Sequence, residues 1–311
     1  MQHFKKNRIF AAMKNKTSSQ GFGYIAILFA MLFWGMSFVW IKHLLINNFP
    51  VFTIVFIRLV LASVVFITLL KLKKKLQKIE REDYKDFLLL AFFEPFLYFI
   101  GEDFGLQQVD ASFAAVIIAL IPIVISITMY FTERSPIRWE FVVGTLVSVV
   151  GVLMLTMSTS GHIEFNLKGT LLLGLAVLAA SGYSVQLTRL LRKYSPATVT
   201  TWQNFIAIPM FLPFVLIFDI KQWGSLSWDF GNVSSLVCLA LLCSAGAYML
   251  YSYSVKQLTV SKTCVFTNLI PIVTLIVAAA IGQEVFTPIK FWGILVIVLG
   301  VTFSQMTMKK R

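Results

Sequence analysis

The sequence predicts an all-α, polytopic membrane protein with ten transmembrane helices in two inverted five-helix repeats. Three observations carry this prediction. Of the 311 residues, 58% are hydrophobic and only 13% are charged, whereas soluble domains carry roughly 25% charged residues. Apolar runs long enough to cross a bilayer recur along the whole chain. Finally, residues 120–124 (LIPIV) return unchanged at 269–273, 149 positions later.

Ten apolar segments are predicted to be transmembrane helices. They cover 22–46, 51–70, 86–107, 111–132, 138–158, 167–190, 197–218, 232–255, 261–283 and 289–307. Residues 1–21 are polar and basic, so we expect a cytoplasmic tail followed by an uncleaved signal anchor. A polar link separates the first repeat, 22–158, from the second, 167–307.

The repeat predicts an inverted topology. At the same offset of 149, Gly144 pairs with Gly293 and Gly151 with Gly300. An odd number of crossings in each half turns the second half upside down in the membrane. Inverted repeats are typical of secondary transporters, whose binding site lies at the interface of the repeats.

The net charge of +13 is distributed as a topology signal. Most of the 27 Lys and Arg residues fall in alternate loops, such as 71–85, while the opposite loops hold few. The positive-inside rule therefore predicts a multi-pass protein of the bacterial plasma membrane with both termini cytoplasmic. This pattern also argues against nucleic acid as a partner, and the basic loops are expected to contact anionic lipid head groups.

Pro122 and Pro271 lie at equivalent positions in the two repeats. A proline inside a membrane helix removes one backbone donor and frees a carbonyl group. Two interpretations remain open: a packed kink, or a hinge that opens space for a substrate.

The ordered motifs resemble a known family over essentially the whole chain. They are Trp34-Gly35-Met36-Ser37-Phe38, Pro50, Arg58, the Ile-Pro-Ile runs at 121–123 and 270–272, Glu133, Glu284, and the glycines at 144, 151, 293 and 300. This arrangement resembles the EamA-type branch of the drug/metabolite transporter superfamily. The resemblance implies a ten-helix exporter of small metabolites, often amino acids or amphipathic compounds. It also implies a central cavity lined by the first, third and fourth helices of each half.

The third predicted helix departs from the family pattern because it is rich in acidic residues. Glu94, Tyr98 and Glu102 are spaced i, i+4 and i+8, which places them on one stripe of a continuous helix. Glu94 falls close to the middle of the bilayer, where a charged side chain is costly and is expected to face a cavity or a partner. We therefore predict that Glu94 binds a proton or a cation; a protonated, purely structural carboxyl is the alternative.

Arg58 is the basic residue that lies farthest from the ends of a predicted span. Its predicted depth matches that of Glu102, so the sequence suggests a salt bridge between the second and third helices. Such a pair can be architectural, or it can act as a gate that a substrate opens.

Further polar and aromatic residues are candidates for the lining of a mostly apolar cavity, which is the usual character of a small-molecule site. They are Trp34, Ser37, Tyr98, Tyr183, Gln186, Tyr248, Tyr251 and Asn268. Aromatic faces can also hold an organic cation. Packing is the alternative role for each aromatic residue, and interhelical hydrogen bonding is the alternative for Asn268.

The sequence predicts a transporter that is not an enzyme. We expect alternating access and export of a small amphipathic metabolite such as an amino acid or organic cation. A proton is the expected coupling ion, with facilitated diffusion or exchange still open. The chain's three histidines do not cluster with acids, and no catalytic residues, metal or cofactor are expected. The rival classes are a membrane-embedded enzyme acting on a lipid or lipid-linked precursor, and a membrane scaffold.

Overall fold

A computed structural model describes residues 2–106, 108–109, 117–156, 166–282 and 286–306. Within these ranges the chain is helical and contains no β-strand. The link at 158–164, the start of the fourth predicted span and Glu284 lie outside the described residues.

The helical stretches are labelled α1 to α10 in chain order. In the first half they are α1 (Gln2–Ile46), α2 (Val51–Leu72), α3 (Tyr84–Ala91, Phe92–Leu97 and Tyr98–Leu106), α4 (Ile121–Glu133) and α5 (Trp139–Thr156). In the second half they are α6 (Leu167–Leu191), α7 (Pro196–Ser225), α8 (Phe230–Leu258), α9 (Val260–Ala280) and α10 (Pro288–Met306).

Of the described helices, seven are long and apolar enough to cross a membrane. Two shorter apolar helices, Ile121–Glu133 and Trp139–Leu155, accompany them, and α3 is interrupted in its middle. The prediction of an all-α, multi-pass membrane protein is confirmed. The helix α1 begins at Gln2, but its candidate membrane span is Gln20–Ile46, close to the predicted 22–46.

α5 and α10 cross through reciprocal glycine contacts. A methyl group added to Gly144 would lie 2.6 Å from the carbonyl oxygen of Gly300, and one added to Gly151 would lie 2.7 Å from that of Gly293. Residue numbers rise along one helix as they fall along the other, so the two helices are antiparallel. Small residues permit this approach of two backbones.

Pro122 and Pro271 begin helices instead of interrupting them. Each occupies the first turn of a regular α-helix, α4 or the second part of α9, directly after a leucine that closes a short non-α turn. Leu120 has φ −81° and ψ −11°, and Leu269 has φ −81° and ψ −17°. The expected breaks are therefore present and have nearly identical backbone angles, but they fall one or two residues before each proline. Each proline lies in the first turn of its helix, where its missing N–H costs little because the N–H groups there have no partner within the helix.

The remaining helices pack across the two halves in matched pairs. α1 packs on α8 and α9, while α6 packs on α3 and α4, and α2 packs on α7. The largest cluster of buried residues lies between these helices and includes residues from both halves. Side chains from helices of both halves therefore meet in the middle of the bundle.

Candidate functional site

A break in α3 shapes the site. Phe92–Leu97 is π-helical, and Glu94 has non-helical backbone angles of φ −148° and ψ 122°. Pro95 supplies no backbone donor, and the Glu94 carbonyl oxygen accepts a hydrogen bond from Gln203 Nε2 over 3.1 Å. π-Helical turns are frequent at functional sites. The sequence analysis treated α3 as continuous and overlooked Pro95, which was the available signal.

α8 has a π-helical segment at the equivalent place. Leu239–Ala247 spans the positions that lie 149 residues after Phe92–Leu97. Because both segments widen their helices at the same level of the repeat, the irregular turns of α3 and α8 are a shared feature of the two halves.

Glu94 faces an aromatic cluster built from both halves. The Tyr248 hydroxyl donates to Glu94 Oε1 over 2.8 Å. The Tyr248 ring lies 5.1 Å from that of Trp34 and 6.4 Å from that of Tyr183, and Trp34 lies 5.4 Å from Tyr251. The spacings suit favourable edge-to-face packing. α1, α3, α6 and α8 thus bring one carboxylate and four aromatic rings together.

Buried polar atoms without a hydrogen-bond partner border this cluster. The Tyr183 hydroxyl lies beside the side chains of Gln203 and Ser252. Within the described residues, the Tyr183 hydroxyl, Gln203 Oε1 and Ser252 Oγ each lack a partner with hydrogen-bonding geometry. Gln186 Oε1 is also buried and has no hydrogen-bond partner among the described residues. Native proteins rarely leave such groups unsatisfied, so these atoms offer hydrogen bonds to a ligand or to water.

The predicted stripe on α3 is only partly correct. The Tyr98 hydroxyl donates to Glu102 Oε1 over 3.0 Å, as their separation of one turn requires. Glu94 does not continue the regular stripe, because its backbone leaves the helical conformation.

The predicted salt bridge between Arg58 and Glu102 is wrong. Arg58 is buried, its Nε donates to Ser244 Oγ over 2.7 Å, and its guanidinium lies 4.7 Å from the centre of the Phe99 ring. No ion pair joins Arg58 to an acid within the described part of the chain. Ser244 lies in the π-helical segment of α8. No pattern along the chain indicates its contact with Arg58, because the two residues are 186 positions apart.

Two other predicted lining residues bond elsewhere. Ser37 Oγ donates to the Trp34 carbonyl oxygen within its own helix over 2.6 Å. Asn268 Nδ2 donates to Ser148 Oγ over 2.6 Å and so joins α9 to α5. The alternative interpretation of Asn268, an interhelical hydrogen bond, describes this contact.

The sequence analysis missed one buried acid. Asp219 Oδ2 accepts hydrogen bonds from Thr53 N over 2.7 Å and from Thr53 Oγ1 over 3.0 Å, and Trp223 Nε1 also donates to Thr53 Oγ1. Thr53 lies in the first turn of α2, whose N–H groups have no partner within the helix. Asp219 therefore ties α2 to α7 in a structural role. Its position within an apolar stretch, VLIFDI, was the missed signal.

Polar contacts join the halves at the basic end of the molecule. Lys193 forms ion pairs with Glu80 and Asp83, and the Tyr194 hydroxyl donates to Asp83 Oδ2 over 2.5 Å. The hydrogen bonds from Lys193 and Tyr194 lower the pKa of the Asp83 carboxyl below its ordinary value. Nearby, Glu133 at the end of α4 forms ion pairs with Arg189 of α6 and with Arg192 at its C-terminal end.

Comparison with known proteins matches both halves to one family. The model of the EamA-like transporter family matches residues 21–157 and 167–306. An uncharacterized transporter of Bacillus subtilis, YetK, is 25% identical over 296 residues, covering 93% of this chain and 88% of the relative. An uncharacterized transporter of Archaeoglobus fulgidus is 26% identical over 279 residues, covering 89% and 96%.

Two further similarities concern function and fold. A probable terminal-alkyne amino-acid exporter of Streptantibioticus cattleyicolor is 25% identical over 193 residues, which cover 61% of this chain and 63% of the exporter. A solved crystal structure superimposes with a TM-score of 0.77 at 16% identity, covering 94% of this chain and 98% of the other. The likeness to that structure supports the fold alone.

Proposed function

Because the chain belongs to the EamA-like transporter family, and is thus a membrane transporter rather than an enzyme, we propose that it exports a small amphipathic metabolite by alternating access. The substrate carries a positively charged amine, as amino acids and organic cations do. The observation that carries this proposal is the Glu94 carboxylate, which accepts a hydrogen bond from Tyr248 beside three further aromatic rings.

Alternating access by two inverted repeats is supported by the packing of the halves. The family model matches two segments, 21–157 and 167–306, close to the proposed repeats 22–158 and 167–307. α5 and α10 occupy equivalent places in the repeats and are antiparallel, as inversion requires. The ten-helix count and the rocking of the halves about a central site complete the proposal.

The chemistry of the Glu94 cluster favours a cationic group. A carboxylate supplies charge, and the faces of Trp34, Tyr183 and Tyr248 attract an ammonium group when water is excluded. The unpaired oxygens of Gln203 and Tyr183 can accept hydrogen bonds from the same group. The probable terminal-alkyne amino-acid exporter among the relatives is consistent with this substrate class.

The same carboxylate suits proton coupling. Within the described residues no lysine or arginine forms an ion pair with Glu94. A carboxylate deep in a membrane that has no basic side chain beside it is stabilised either by a proton or by a bound cation. Binding of one excludes the other, so inward movement of protons can drive outward movement of the substrate.

Orientation and hinge motion belong to the same proposal. The basic loops support a plasma-membrane protein whose two termini are both cytoplasmic. The paired breaks before Pro122 and Pro271 are places where α4 and α9 can bend as the halves move.

Flux measurements on reconstituted vesicles test the proposal. A panel of radiolabelled amino acids and quaternary amines is offered with and without a pH gradient. We expect at least one of these probes to be driven by the gradient, and the substitution Glu94→Gln to abolish this drive because the amide cannot be deprotonated. Glu82→Gln, a change of the same kind at an exposed position, serves as the control. Gradient-driven flux that survives Glu94→Gln contradicts the role of Glu94.

A further inference from the structure

A lateral groove lies at the basic end of the molecule, apart from the Glu94 cluster. It opens between α1, the end of α2 and α8, and it encloses about 740 Å³, a volume within the usual range for a small-molecule site. The residues that line it are mainly apolar and include Phe22, Phe29, Leu70 and Leu250. None of its lining residues is acidic.

The apolar walls run inward from the basic end. On α1, Phe22, Ile25 and Phe29 follow one helical stripe, and all three are exposed. On α8, Met249 and Tyr253 continue toward Lys256 on a similar stripe. Seven residues of α-helix span about 10 Å, so the groove reaches from its charged rim well into the apolar part of the bundle.

Three lysines stand at the rim. Lys75 has no ion-pair partner within the described residues. Lys193 is paired with both Glu80 and Asp83, and Lys256 Nζ donates to the Tyr194 carbonyl oxygen over 2.9 Å. Each ammonium group has three donors, so Lys193 retains one donor for another acceptor and Lys256 retains two, while Lys75 and Lys256 supply positive charge that no carboxylate neutralises within the described residues. An occupant with an anionic head and an apolar tail matches both parts of the groove.

We propose that this groove binds an anionic phospholipid from the leaflet at the basic end of the protein. The phosphate contacts Lys75, Lys193 and Lys256, and an acyl chain lies between the α1 and α8 stripes. The site is separate from the Glu94 cluster because Met249 and Tyr253 line the groove, whereas Tyr248 and Tyr251 pack against Trp34.

Spin-labelled phosphatidylglycerol and phosphatidylcholine, compared in phosphatidylcholine vesicles that contain the full-length protein, test the proposal. The fraction of each lipid immobilised by the protein is read from electron paramagnetic resonance spectra. We expect the wild type to prefer phosphatidylglycerol. Lys75 contacts the phosphate directly in the proposed site, and a charge-assisted hydrogen bond is stronger than a neutral one, so Lys75→Gln should reduce the preference about fivefold.

The matched control is Lys71→Gln, which removes the same charge from the same basic loop but lies outside the groove. An equal loss of preference in both variants would mean that the loop attracts anionic lipid without a defined site, and the proposal would be wrong. Absence of any preference in the wild type would also overturn it.

A second pair of variants tests the apolar part. Ile25→Trp fills the groove without changing charge and should displace the immobilised phosphatidylglycerol. Leu178→Trp, at another exposed position outside the groove, should not. Unchanged immobilisation in Ile25→Trp contradicts the site. Because these spectra are recorded without transport, their outcome is independent of the function proposed above.

Discussion

The Tyr248 hydroxyl and the Glu94 carboxylate are joined by a hydrogen bond of 2.8 Å that crosses from one half of the protein to the other. The bond links α8 to α3, the third helices of the two repeats, at the level where both are π-helical. A motion that separates α3 from α8 at this level breaks the bond. The hydrogen bonding of the Glu94 carboxylate therefore depends on the arrangement of the two helices.

Tyr248→Phe should weaken the binding of a cationic substrate. The hydroxyl stabilises the ionised Glu94 carboxylate, and a hydrogen bond to a charged group contributes about 1.5–3 kcal/mol. Without it a proton competes more strongly with the substrate for Glu94, so we expect the concentration of half-maximal flux to rise roughly tenfold or more. The measurement is the concentration dependence of uptake into vesicles. Tyr251→Phe is the control, since its ring packs on Trp34 but its hydroxyl makes no bond to Glu94. Equal effects of the two substitutions would contradict a specific role for the bond.

Gly144→Ala should destabilise the crossing of α5 and α10. The added methyl group would lie 2.6 Å from the Gly300 carbonyl oxygen and 2.7 Å from the Ser304 nitrogen, and overpacking of this kind costs about 1–3 kcal/mol. We expect a lower melting temperature in detergent.

Gly174→Ala provides the matched control for this helix crossing. Nothing lies within 4 Å of a methyl group at Gly174, and alanine is favoured over glycine in a helix interior by about 1 kcal/mol. This variant should melt at the same temperature or higher. If Gly144→Ala melts at the same temperature as Gly174→Ala, α5 and α10 accommodate the added methyl group without cost, and the prediction is wrong.

The sequence predicted the helical architecture because that architecture follows from composition and repetition. Long apolar runs admit few alternatives to membrane helices, and the repeat marked the glycines that cross between α5 and α10. Tyr98 and Glu102 could be paired because a regular helix fixes their spacing. These features depend on the spacing of residues along the chain, which can be read from a single sequence.

The site was predicted less completely because its geometry depends on irregular backbone and on contacts between distant segments. Glu94 left the predicted stripe when α3 became π-helical around Pro95. Arg58 bonds to Ser244, 186 residues away, although its depth alone suggested Glu102. Depth in the membrane can be read from a sequence, but the direction that a side chain faces across an irregular bundle cannot.

The contact between Arg58 and Ser244 predicts the outcome of a double-mutant cycle. Arg58→Gln and Ser244→Ala should each destabilise the protein, and together by less than the sum, with a coupling free energy of about 1.5–3 kcal/mol because the guanidinium is charged. The free energy of unfolding is measured by titration with dodecyl sulfate. The charge exchange Arg58→Glu with Glu102→Arg should fail to restore stability, because the two residues do not form an ion pair. Restoration by that exchange would contradict the observed packing of Arg58.

The stability of the contacts at the basic end should depend on pH through the carboxyl group of Asp83. Hydrogen bonds from Lys193 and Tyr194 hold its pKa below the ordinary 3.8, so the folded protein favours the ionised form. The stabilisation is fully present above pH 3.8 and is lost as the pH falls through the lowered pKa of the folded state.

Comparison with Asp83→Asn measures this contribution. The variant should melt below the wild type at neutral pH, and the difference should shrink as the pH falls below 4, because protonation removes the same charge from the wild type. Asp86→Asn, a nearby change outside the contacts with Lys193 and Tyr194, should show no such convergence. If the difference in melting temperature between wild type and Asp83→Asn stays constant from pH 7 to below pH 4, the carboxylate charge does not hold the two loops together.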